Sequence, residues 1–174
     1  NGGVSKDLKS ITWTIKKGIK WSDGSDFTAA DVVFTADYCM NPDGGCQQLT
    51  KFADVSNVEA LNALQVKVTF SIAKPFPYGP FVGAESPIIQ KAQFENCVGA
   101  KAPECTKENF GPNGTGPYRV TEFRANDVIT MEMNPHYRDA NKPSFATLTF
   151  KGGGDAASAA RSVLETGEFD YAWN

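Results

Sequence analysis

Histidine is almost missing from this chain: His136 is the only one. A Ser/His/Asp relay needs an imidazole base that a third group orients, so any such chemistry would rest on His136 alone. It stands in the polar run Asn134-Pro135-His136-Tyr137-Arg138-Asp139, the setting of a solvated or hydrogen-bonded loop histidine. No G-x-S-x-G elbow occurs, and Gly152-Gly153-Gly154 is not followed by the Gly-Lys-Ser/Thr of a phosphate loop. That glycine run reads as a strand-to-helix joint rather than an anion cradle. No apolar run approaches the roughly 18 residues a membrane helix requires. Positive charge is not in excess: Lys plus Arg is 17 against 20 Asp plus Glu, a net charge of −3. Without a basic stripe interleaved with aromatics, a nucleic-acid backbone is a poor partner. Internal repeats and low-complexity tracts are absent as well.

What is present is an ordinary globular composition, 41% hydrophobic and 21% charged over 174 residues. That length predicts one domain, or one domain with a subdomain, and it can bury a core without staples. The 20 carboxylates will offer accidental pairs in any fold, so a two-carboxylate hydrolase cannot be read from spacing. The four cysteines fall into two local pairs, Cys39/Cys46 and Cys97/Cys105, each around a loop rich in Gly or Pro. Local pairing as disulfides, and hence an oxidising compartment, is the favoured reading. Four cysteines allow three pairings, and four reduced thiols remain the alternative.

Apolar periodicity outlines an α+β fold with mixed sheets and flanking helices. Ile11, Trp13 and Ile15 alternate as a strand. A helix starts at Thr28, with Asp31 three residues on as in a capping box, and ends at Asn41 to Gly45. A short helical piece is expected around Gln48 to Phe52. Val55–Leu61 and Leu64–Phe70 read as an antiparallel pair joined at Asn62-Ala63. Residues 73–87 hold four prolines and three aromatics and read as an ordered loop. A short helix follows near residues 88–96, then a loop-rich stretch from Cys97 to Gly116. Tyr118–Phe123 and Val128–Met133 form a hairpin, and Ala146–Gly152 a further strand. Asp155 caps a helix with Ala157, Ala160, Val163 and Leu164 on its apolar stripe, and Gly167 stops it. Phe169–Trp173 reads as a strand. Trp13, Trp21, Tyr78, Phe81, Tyr118, Tyr171 and Trp173 are candidates to line a cleft, although most aromatics are core.

Taken together, these segments resemble the family 5 solute-binding proteins, the dipeptide-, oligopeptide- and nickel-binding components of ABC importers. Residues 13–35 are similar to that family's signature through Trp13, Lys17, Gly18, Trp21, Asp23-Gly24, Thr28-Ala29, Asp31-Val32 and Phe34. Gly114-Thr115-Gly116-Pro117-Tyr118 resembles its strand entry. The stretch from Met131 to Asp139 resembles its Arg-Asn-Pro-x-Tyr-Trp run, with Arg138 where an aromatic is common. Residues 160–174 look like its Ala-x-x-x-Leu-x-x-Gly-Glu-x-Asp segment. The two cysteine loops fit a subset of peptide- or opine-type members.

The resemblance implies one lobe of a type II periplasmic-binding-protein fold. Residues 1–174 would be a partial lobe I with an inserted β-rich or loop subdomain within about 40–115, the second lobe lying outside this sequence. It implies binding without catalysis and without a cofactor or metal. A peptide or peptide-like solute would sit between two lobes and pass to membrane permease subunits outside the cytoplasm. By the same resemblance Tyr171, Ala172, Trp173 and Asn174 face the ligand. Glu85 and Ser86 in one loop, and Thr115 and Gly116 in another, are further candidates. An extracellular carboxylate-pair hydrolase and a non-catalytic adaptor module are the competing classes.

Overall fold

The computed structural model describes residues 3–139, 143–152 and 154–172. Two three-stranded antiparallel sheets organise the described residues. The first has the order β1-β3-β2, from β1 (Ser10–Thr14), β2 (Val55–Asn62) and β3 (Gln65–Phe70). Ile11 pairs with Val68 and Trp13 with Val66, while Val58 lies opposite Val68 on the other side of β3. Paired residues share a face, so the alternation seen in the sequence puts all the apolar members on one side. Helix α1 (Ala29–Met40) closes that side with Ala29, Val32, Ala36 and Cys39. Val66 and Val68, at 0% exposure, mark the centre of the core. The stretch 40–115, expected as an insertion, supplies two of this sheet's three strands.

The start of α1 is held by a buried carboxylate. Asp31 Oδ2 accepts the Thr28 backbone N–H at 2.9 Å and the Trp21 Nε1–H at 3.3 Å. Its Oδ1 accepts the Lys91 N–H at 2.9 Å. Asp31 therefore caps its own helix and also fastens α2 (Lys91–Phe94) to it. Both local disulfides are formed, Cys39–Cys46 and Cys97–Cys105.

The second sheet has the order β4-β5-β6, from β4 (Tyr118–Arg124), β5 (Val128–Met133) and β6 (Thr147–Lys151). Val120 opposes Met131, Phe123 opposes Ile129, and Ile129 opposes Phe150, which gives one apolar face. Arg119 pairs with Glu132 on the other face. Helix α3 (Thr106–Phe110) lays Phe110 flat on Phe123, with ring centroids 4.8 Å apart.

Several expectations need correction. Where mixed sheets were expected within the α+β class, every strand pairing among the described residues is antiparallel. The β2–β3 turn falls at Ala63-Leu64, one residue later than expected. Asn62 stays paired with Gln65, and its Oδ1 accepts the Leu64 N–H at 2.9 Å. The Cys97–Gly116 stretch carries a 3₁₀ turn (Gly99–Glu104) and α3. Elements this short show no periodicity. The described part of the expected last strand, Phe169–Ala172, is not a strand.

Candidate ligand-binding site

Strand β6 delivers the chain to the glycine run, Asp155 caps α4 (Ala156–Leu164), and Gly167 (φ +64°) turns the backbone into the segment 168–172. Asp155 Oδ1 accepts the Ser158 N–H at 3.0 Å, and the Ser158 hydroxyl donates to Oδ2 at 2.8 Å. These donors hold the Asp155 carboxyl below its usual range. Between β6, α4 and the segment 168–172 lies a pocket of about 610 Å³. Phe150, Phe169 and Tyr171 give it apolar walls, and Thr149, Ser158 and Ser162 add hydroxyls. Lys151 and Asp155 put one cation and one anion on its rim. Apolar walls with a few polar groups of both signs suit a small zwitterionic or amide-rich molecule.

Of the residues singled out in the sequence, Tyr171 and Ala172 line this pocket, while Trp173 and Asn174 lie outside the described residues. Glu85, Ser86, Thr115 and Gly116 are not among its lining. Glu85 pairs with Lys51 at 2.9 Å, whose ammonium lowers its carboxyl. Ser86 is buried, and its hydroxyl oxygen accepts the Phe81 N–H at 3.0 Å. The Thr115 carbonyl accepts from Arg138 at 3.2 Å and the Gly116 carbonyl from Asn134 at 2.8 Å. These two loops are thus occupied in fixing their own neighbourhoods.

Among the other candidate aromatics, Trp21 is buried, Phe81 packs on Phe52, and Trp13 meets Tyr78 at 5.9 Å. The Tyr118 hydroxyl donates to the Phe145 carbonyl at 3.0 Å. His136 is exposed, with its ring against Gly24. Phe150, Lys151, Ser158 and Phe169 were not read from the sequence as pocket residues. Asp155 was legible only as a cap, and Phe169 only as part of a strand. A metal centre finds little material. Among the described residues the one suitable cluster is Cys97, Cys105 and Glu108, and its two sulfurs are bonded to each other.

Comparison with known proteins decides the family. Residues 2–174 match the family described as bacterial extracellular solute-binding proteins, family 5, middle part. The chain belongs to family 5 of the extracellular solute-binding proteins. A curated relative is the glutathione-binding protein GsiB of Pectobacterium atrosepticum, 30% identical over 97% of this chain and 32% of that protein. The GsiB of Salmonella choleraesuis is 26% identical over 98% of this chain and 32% of its own. The family 5 chain described here therefore spans about a third of the length of the curated relatives it matches.

Solved structures agree on the fold. NikZ from Campylobacter jejuni, in complex with Ni(L-His), superposes with a TM-score of 0.82 at 26% identity. That match covers 95% of this chain and 32% of NikZ. The oligopeptide-binding protein AppA from Bacillus subtilis, in complex with a nonapeptide, gives 0.81 at 25% identity, with the same coverage of 95% and 32%. The α+β architecture is thus a partial piece of a type II periplasmic-binding-protein fold. No helix among the described residues is long and apolar enough to cross a membrane.

Proposed function

We propose that this segment is part of lobe I of the extracytoplasmic binding component of an ABC importer. The complete protein would hold a peptide or peptide-like solute between two lobes and hand it unchanged to membrane permease subunits. The observation that carries this reading is the family match, which runs from residue 2 to residue 174. The β6–α4 pocket supports it, since its aromatic walls and opposite rim charges match the chemistry of a short peptide. Relatives named for glutathione and for a nonapeptide point to the same ligand class. Direct chelation of a metal by this segment is disfavoured by its single imidazole and its two disulfides. The disulfides also support an exported location. No catalytic step is assigned: relatives are named as binding proteins, and among the described residues the pocket holds no nucleophile beside an imidazole base.

In this reading Tyr171, Ala172, Trp173 and Asn174 face the ligand. Glu85, Ser86, Thr115 and Gly116 are second-rank contacts that domain closure would have to bring near. A lone lobe lacks half of the enclosing surface and binds weakly. The test is titration calorimetry of the protein expressed from its complete reading frame, against reduced glutathione and short peptides. One of these binds 1:1, and Tyr171→Ala weakens it roughly tenfold or more, as expected for an aromatic contact. No heat with any of them, or an unchanged affinity in the variant, contradicts the proposal.

A further inference from the structure

The sequence motif Asp23-Gly24 has no place in the pocket, yet the Asp23 carboxylate is fully engaged between its own turn at residues 22–25 and the segments that carry Gln90 and Asn113. Its Oδ1 accepts the Ser25 N–H at 2.9 Å and the Ser25 hydroxyl at 2.7 Å, which closes the turn. Its Oδ2 looks outward and accepts Gln90 Nε2–H at 2.7 Å and Asn113 Nδ2–H at 3.2 Å. Asn113 Nδ2 also donates to Gln90 Oε1 at 2.7 Å, and the Ser22 hydroxyl donates to Asn113 Oδ1 at 3.0 Å. Gln90 is only 2% exposed. Three segments distant in sequence, 22–25, 90 and 113, thus meet on one carboxylate.

Beyond Asn113 the chain enters the second sheet. A cleft of about 280 Å³ beside Asp23 and Asn113 is walled on its far side by Arg119, Thr121 and Glu132 of β4 and β5. Next along the turn, Gly24 (φ +90°) takes the His136 ring against its Cα; a Cβ there would lie 3.0 Å from Nε2. Asn134, two residues before His136, donates its N–H to the Pro117 carbonyl at 2.9 Å. Asp23 therefore sits where the first sheet's scaffold grips the entrance to β4 and the exit from β5.

We infer that Asp23 is a positioning residue whose carboxylate fastens the β4-β5-β6 sheet to the rest of the lobe. The β6–α4 pocket hangs from that sheet, so its placement depends on a group that does not line it. The bearing on solute binding rests on the function proposed above; the fastening itself does not. The chemistry is specific. Asn at position 23 would keep an acceptor toward Ser25 but turn an N–H₂ toward two donors. Gln90 Nε2 also donates to the Ser25 hydroxyl at 2.8 Å, so Gln90 cannot flip its amide to accommodate that N–H₂ without setting its own oxygen against an oxygen.

Hydrogen exchange on the complete protein tests this without any ligand, so a failure here is separate from a failure to bind solute. In Asp23→Asn the amides of Asn113 and Asn134 exchange roughly tenfold or more faster, while those of Val66 and Val68 in β3 are unchanged. Asn113→Ala, which removes the partner on the other side, gives the same acceleration at Asn134, and combining it with Asp23→Asn adds little more. Reduced glutathione, if it binds the parent, loses affinity in the same variants. If β3 protection also collapses in Asp23→Asn, Asn113→Ala reads the same junction and gives the same loss at Asn134. An effect confined to Ser25, or losses from Asp23→Asn and Asn113→Ala that add in full in the double variant, overturns the inference.

Discussion

Asp31 and Asp23 stand eight positions apart and bind the same fold in different ways. Asp31 is 6% exposed and uses both oxygens inside the core, on the Thr28, Trp21 and Lys91 donors. Asp31→Asn loses acceptance at one of those oxygens and leaves a buried donor facing another donor. The expected cost is about 2–3 kcal/mol, read as a lower urea midpoint with an unchanged slope. Asp23 is more open to water. Partial burial pushes its carboxyl up, but the donors from Gln90 and Ser25 outweigh that and hold it below the usual carboxylate range. A depressed folded-state value means the contribution is complete above the unfolded value of about 3.9 and is lost as pH falls through the lower folded value. The stability difference between the parent and Asp23→Asn is therefore constant at neutral pH and shrinks below about pH 4, measured by urea titrations at stepped pH.

At the scale of elements, legibility followed length and periodicity. β1, α1, the β2–β3 pair and the β4–β5 hairpin could be read because each is long enough to repeat its apolar positions over more than two periods. The two cysteine loops were legible through turn residues that bring their ends together, and both disulfides are formed. The 3₁₀ turn at Gly99–Glu104 and α3 escaped because short helical turns are held by tertiary contacts rather than by propensity. Here the contacts are the Cys97–Cys105 bridge and the Phe110–Phe123 stack. Replacing that bridge by Cys97→Ser with Cys105→Ser should cost about 2.5 kcal/mol, the loop-closure entropy of so short a loop. The urea midpoint checks it against the oxidised parent, and most of the difference should vanish once both proteins are measured reduced, with Cys39–Cys46 open in each. The candidate site was legible in part. Tyr171 and Ala172 were reached through family resemblance, whereas Lys151, Ser158 and Phe169 join them only because α4 folds back beside β6, a juxtaposition no local pattern encodes.

On the scale of the whole molecule, the chain spans about a third of the length of its curated relatives, and in the function proposed above it supplies one wall of the site. The first sheet with α1 is a closed core, whereas the second sheet carries Phe150 on its apolar face at 54% exposure. Ligand affinity therefore belongs to the complete protein in the function proposed above, and the segment described here is the scaffold that presents the β6–α4 wall. The most direct test is native mass spectrometry of the complete protein after incubation with reduced glutathione and a mixture of dipeptides to pentapeptides. The expected result is a 1:1 complex that releases an intact peptide or glutathione on denaturation. Cleaved products would instead mark a hydrolase, and a protein that emerges bare from every mixture would contradict the solute-binding reading.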